Sequence, residues 1–220
     1  LSSLFPTRDN KLYVYHKSVK DWLVDAQRED EMWYVDVPQV HARMGRKCTD
    51  LWTTSEYALK HGVAHLCAGG LSTLARDLMF TFEWLLARAK LGPPHALVLD
   101  GHRVSQRHKD RAFALLHSAL RLMQSGLVTN PLQIAGQLVG RLLGYEDATT
   151  RFHEAEIETL LTTVRAWPGP DGRGWLCPVG LTYLPAGSPC QQTMVGHSGG
   201  VNSVSFSPDG ASIVSGSDDK

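Results

Sequence analysis

A chain of 220 residues has room for one or two domains at roughly 150 residues each, and its 43% apolar content is enough for a full core. Lys plus Arg and Asp plus Glu number 22 each, so the basic surplus of a nucleic-acid-binding domain is missing. No apolar run approaches the roughly 20 residues of a membrane span. The four scattered cysteines, Cys48, Cys67, Cys177 and Cys190, fit reduced thiols of a cytoplasmic protein better than a disulfide framework or a zinc knuckle.

Residues 4–25 read as a short hairpin followed by a helix. Asp9-Asn10 suits a tight turn, and Leu12-Tyr13-Val14-Tyr15 has the β-branched and aromatic content of a strand. Val19, Trp22 and Leu23 then recur at helical spacing, i, i+3, i+4. From residue 37 to 167 the pattern is almost wholly helical. Pro38 suits a first helical turn, and Thr53 with Glu56 makes a capping-box pattern for a helix ending at Gly69-Gly70. Leu74, Leu78, Phe82 and Leu85 predict one helix ending near Gly92; Phe113, Leu116, Leu120 and Met123 predict another ending at Gly126. Asn130-Pro131 is an N-cap with proline at the first position, opening a helix that Gly144 stops. Ile157, Leu160, Leu161, Val164 and Trp167 form a last stripe, while residues 96–108 fit helix or strand equally well. Helices of this length with short Gly- or Pro-marked turns imply stacked pairs, a short solenoid-like domain.

Residues 168–189 are rich in Pro and Gly and read as an ordered linker anchored by Trp175, Leu181 and Tyr183. His61 and His65 lie at i, i+4, a spacing open to a shared metal. A zincin needs Glu after the first His, where Gly62 stands, and no third ligand is evident, so a packing role fits better. No Gly-Lys pair occurs, which removes the phosphate-cradling loop of nucleotide hydrolases; nucleophile-elbow and Cys-His signatures are missing too. The expectation is a non-catalytic stretch with no catalytic residues, no metal and no cofactor of its own.

From residue 190 the character changes. Gly196-His197 leads into a strand with Val201, Val204 and Phe206, a Ser207-Pro208-Asp209-Gly210 turn, and a second strand through Ile213 and Val214. This resembles the opening of a WD repeat, a β-propeller unit of roughly 40–45 residues and four strands. Residues 190–220 are thus expected to be the incomplete first blade, with the naming Trp-Asp beyond Lys220, and the chain to be an internal piece of a longer protein. Residues 191–195 fit the strand that closes one blade ahead of the next. The resemblance implies a strand-locking hydrogen-bonded network in which His197, Ser215 and Asp219 hold the His, Ser/Thr and Asp places, with Ser217 an alternative to Ser215.

The first part adds a second resemblance. The hairpin, His16 and the following Ser18-Val19-Lys20-Asp21-Trp22-Leu23 look like the end of the winged-helix region of NACHT and NB-ARC (STAND) signalling NTPases. There a histidine within Met-His-Asp contacts the β-phosphate of ADP; here Tyr15 and Lys17 replace the flanking Met and Asp. The runs 57–66 and 130–142, and the order Trp175, Pro178, Gly187, Gly196-His197, also resemble such proteins' approach to a first blade. The resemblance implies four parts: residues 1–36 ending a winged-helix region, a helical domain over 37–167, a linker over 168–189, and the blade from 190. It implies a regulatory, sensor-side segment whose propeller binds protein partners. ATP or ADP and homo-oligomerisation would belong to an upstream NTPase module, with no nucleic-acid or membrane partner. The alternative is a WD-repeat scaffold with a helical domain and no NTPase; a metalloenzyme using His61 and His65 is a distant third.

Overall fold

The structure, a computed structural model, describes residues 7–8, 11–12, 17–30, 32–147, 152–180, 182–189, 194, 196–210 and 212–219. At the start, β1 (Thr7–Arg8) pairs antiparallel with β2 (Lys11–Leu12), and α1 (Lys17–Leu23) follows. The turn expected at Asp9-Asn10, the strand residues 13–15 and His16 lie outside the described residues.

The helical body opens with α2 (Val37–Leu51). Asp36 caps it, its carboxylate accepting from the Gln39 amide at 2.9 Å, and Pro38 sits in the first turn, where a missing N–H leaves no helical bond unmade. α3 (Glu56–Ala68) starts on a different cap from the expected one. Ser55 Oγ accepts from the Ala58 amide at 3.3 Å, so Glu56 is already the first helical residue and its carboxylate pairs with Lys60. The Thr53–Glu56 capping box is therefore not formed. The end follows expectation: Gly70 adopts φ +74°, the Leu71 amide donates to Leu66 O at 2.8 Å and the Gly70 amide to Cys67 O at 3.3 Å. Those two bonds are the Schellman pattern, which uses glycine because a Cβ is disfavoured at positive φ.

Two glycines set how closely α2 approaches α3. A Cβ on Gly45 would lie 2.9 Å from the Leu66 amide nitrogen, and one on Gly69 2.3 Å from that of Ala42.

The single helix expected across residues 74–85 is instead two, α4 (Ser72–Met79) and α5 (Phe82–Leu91). They part at Thr81, whose backbone is extended (φ −86°, ψ 112°). The break lets Phe82 bury in the core while Phe80 meets Phe113 edge-on at 6.2 Å. Residues 96–108 resolve largely as helix: α6 spans Pro94–Ser105. Asp110 caps α7 (Arg111–Leu122), accepting from the Phe113 amide at 2.9 Å. The chain does not stop at Gly126, which lies inside α8 (Gln124–Thr129). A Cβ at Gly126 would come within 2.6 Å of Gln137 Nε2, so this glycine serves close approach rather than helix termination.

Asn130 caps as expected, its side chain accepting from the Leu132 amide at 2.9 Å, and a 3-10 turn beginning at Pro131 runs into α9 (Ile134–Leu142). Gly144 sits in a further 3-10 turn, and α10 (Ala155–Ala166) buries Ile157, Leu160, Leu161 and Val164, the stripe read from sequence.

The pairs α2/α3, α6/α7 and α9/α10 are each in contact, and α3–α6 and α7–α9 contacts link one pair to the next. A regular solenoid would keep contacts to neighbours only. Here α5 touches α3, α6, α9 and α10, so the helices close around one core containing Trp84, Phe82, Phe113, Met79 and Leu138. Inside it Asp100 lies 3.0 Å from Arg88 Nε and 2.9 Å from Arg103 Nη1, with Arg88 and Asp100 buried. The molecule is thus mainly α, with β3 (Val201–Phe206) and β4 (Ile213–Ser217) as a two-stranded antiparallel sheet near the C-terminus. Among the described residues, no helix is long and apolar enough to cross a membrane.

Candidate functional site

Between β3 and β4 the chain reverses on bonds made by Ser207, Gly210 and Ser212. Ser207 Oγ accepts from the Ser212 amide at 2.9 Å, and the Gly210 amide donates to Ser207 O at 2.9 Å with Gly210 at φ +68°. Register pairs Val204 with Ser215 and Phe206 with Ile213, with an irregularity between Val201 and Ser203. Side chains alternate along a strand, so Ile213, Ser215 and Ser217 share one face with Val204 and Phe206.

On that face the structure brings His197, Ser215 and Asp219 together. His197 Nε2 lies 2.7 Å from Ser215 Oγ, and His197 Nδ1 lies 3.1 Å from both Asp219 carboxylate oxygens. The Ser198 amide donates to Asp219 Oδ2 at 2.6 Å. That backbone bond, helped by His197 and Ser217, holds the Asp219 carboxyl below the usual carboxylate range. Ser217 does not replace Ser215 beside the imidazole; its Oγ accepts from the Asp219 amide at 3.4 Å. The chain Ser–His–Asp runs in the bond order of a hydrolase triad, yet such a serine sits on an exposed elbow beside oxyanion donors. Ser215 is the middle residue of a five-residue strand. The bonds tie the loop before β3 to β4 and the residues just after it.

Next to this network a hollow of about 350 Å³ is lined by Met194, Gly196, His197, Val201, Val204, Ile213 and Ser215. Val201, Val204, Phe206 and Val214 are all more than half exposed. Of the strand expected over residues 191–195, Met194 alone is described.

The linker before the hairpin is tied to the helical body by residues the sequence did not single out. Arg141, buried on α9, donates to Gln137 Oε1 at 2.9 Å, Leu184 O at 2.8 Å and Leu122 O at 3.2 Å, and its guanidinium lies 5.1 Å from the centre of the Tyr183 ring. The Ala186 amide donates to Arg141 O at 3.0 Å, Tyr145 Oη to Ala186 O at 2.8 Å, and the Gly187 amide to Ser118 Oγ at 3.0 Å. Gly140 lets this strap lie flat: a Cβ there would meet Tyr183 at 2.5 Å and Thr182 at 2.6 Å. Of the expected anchors, Trp175 donates from Nε1 to Trp167 O at 2.9 Å and Tyr183 stacks on Arg141; Leu181 lies outside the described residues. The available signal for Arg141 was a cation set within the apolar run Leu138, Val139, Leu142.

His61 and His65 are not joined to each other. His65 Nδ1 lies 2.7 Å from His41 Nδ1 and its Nε2 lies 2.7 Å from Tyr57 Oη, while the His61 ring meets Tyr57 at a tilt, 4.7 Å between centres. Burial, then the neighbouring His41 and His61, pushes the His65 pKa down. Among the described residues no group of three or more His, Cys, Asp or Glu side chains could hold a metal ion. Cys48, Cys67 and Cys177 are free thiols.

No curated protein and no solved structure matches the chain. Residues 188–220 match the WD40 family, described as WD domain, G-beta repeat. The hairpin with its His197–Ser215–Asp219 network is therefore part of a WD40 repeat.

Proposed function

We propose that this chain is the non-catalytic, sensor-side segment of a STAND-type signalling NTPase, in which a helical body joins a nucleotide switch to a protein-binding WD-repeat propeller. WD40 repeats point to protein–protein interaction. The observation that carries the rest is the strap over residues 182–188. Arg141 of α9, Tyr145 just after it and Ser118 of α7 fasten residues 184–187, directly ahead of the repeat, to the helical body, which supports a path from the helices toward the repeat. Rigid-body motion of fastened elements is a common way to couple two sites.

In this reading residues 1–36 close a winged-helix region, and His16 reaches the β-phosphate of ADP held by an upstream module. ATP and ADP belong to that module, as does homo-oligomerisation, and residues 1–220 perform no hydrolysis. Calorimetry with ADP tests it. The full-length protein is expected to bind ADP, more weakly after His16→Ala, and residues 1–220 alone are expected not to. A full-length protein that binds no nucleotide overturns the NTPase reading and leaves a WD-repeat scaffold with a helical domain.

A further inference from the structure

α2 has a second apolar surface that no part of the described chain covers. Its inner side, with Gly45 and Cys48 buried, faces α3. At 100° per residue, Val37, Val40, Met44 and Leu51 fall within about 60° of one another, on the flank of α2 that adjoins Cys48 and turns away from Gly45. These four are between 36% and 46% exposed. Their spacing, with Lys47, follows the a and d positions of a heptad seam. A shallow hollow of about 310 Å³ lies over the stripe, lined by Val40, Arg43, Met44 and Lys47.

The charges beside the stripe select its occupant. α2 carries Arg43, Arg46 and Lys47 against the single anion Asp50, in a chain whose overall charge is zero. Arg43 and Lys47 both border the stripe on the side away from Cys48, Lys47 also taking the seam's remaining d place. None of the three cations makes an ion pair among the described residues, whereas the nearest acidic residue of α3, Glu56, is paired with Lys60. An apolar stripe of heptad spacing bordered by cations on one side complements a helix with apolar a and d positions and carboxylates along the matching flank.

We propose that the outer face of α2 is a docking site for an acidic amphipathic helix of a partner protein, separate from the WD repeat. The partner helix lies along α2, seating its apolar side chains over Val40 and Met44. Its carboxylates meet Arg43 and Lys47, in the helix-on-helix mode of recognition. The rim charges set partner choice and salt dependence, and the apolar stripe supplies the buried contact.

The test titrates residues 1–220 with a synthetic peptide of about three heptads, Leu at a and d and Glu at the flanking positions. Controls are the same peptide with Lys for Glu, and phosphatidylserine-containing vesicles. The Glu peptide is expected to shift the amide resonances of α2. Its affinity should fall about tenfold or more between low and high salt, and about tenfold on Met44→Asp or on Lys47→Glu. Unchanged helicity and melting temperature in both variants show that the fold is kept. Unmoved α2 resonances, equal binding of the Lys peptide, or binding to vesicles in place of the peptide overturns the proposal. Self-association of the chain that Met44→Asp abolishes also overturns it, by assigning the stripe to a second copy.

Discussion

At the scale of single residues, the molecule depends on a few polar groups kept out of water. Asp100 lies between Arg88 and Arg103, and removing one partner of a buried pair leaves an uncompensated charge. Asp100→Ala is expected to cost about 3–5 kcal/mol, read as a fall in the urea midpoint. His117 is the second case. Its ring stacks on Phe113 at 6.5 Å, Gly101 lies over its Cδ2, and its Nε2 is buried without a partner. Burial, reinforced by Arg121 and His102, pushes its pKa down from 6.5 to about 4. The unfolded chain takes up the proton as pH falls below about 6.5, and the folded one does so only near 4. The stability His117 contributes is therefore present above that window and lost progressively through it. Urea denaturation at pH 7 and pH 5 checks this: His117→Gln is expected to flatten the fall between the two pH values.

At the scale of elements, glycines and caps decide what the hydrophobic pattern leaves open. Gly140 is the clearest instance, because Thr182 and Tyr183 occupy the space a side chain would need. Gly140→Leu is expected to lift the strap from α9 and raise amide exchange at Ala186 and Gly187 at least about tenfold, with α10 amides little changed. If exchange at the strap stays as slow as before, Gly140 is not what seats it. The sequence made some elements plain and hid others for physical reasons. The stripe Ile157, Leu160, Leu161 and Val164 was readable because one helical face meets the core, and Asn130-Pro131 because cap and proline act locally. The break at Thr81, the continuation through Gly126 and the cap at Ser55 were not readable, since tertiary contacts set each of them. In the candidate site, His197, Ser215 and Asp219 were named from the repeat's pattern. Arg141 was missed because its acceptors are largely backbone carbonyls contributed by distant segments, which leave no trace in residue type.

At the scale of the whole molecule, cohesion is uneven. The helical body has one continuous core, whereas the described strands β3 and β4 leave Val204, Phe206 and Val214 largely exposed. A two-stranded sheet is marginal by itself in water. Amides of β3 and β4 are therefore expected to exchange at least about a hundredfold faster than those of α9 in residues 1–220; comparable protection in both would refute this. The strap has a consequence for how the protein comes apart. Leu176 and Val179 are 96% and 99% exposed, just ahead of the fastened residues 182–188. A protease should cut first near those two side chains, since exposed loop tips are preferred nicking sites. The cut would sever the covalent path but not the bonds from Arg141, Tyr145 and Ser118, nor the cover of Tyr183 over Gly140. The two pieces should then co-elute as one nicked particle in native gel filtration and separate only in denaturant, so that the join between body and repeat outlives the peptide bond.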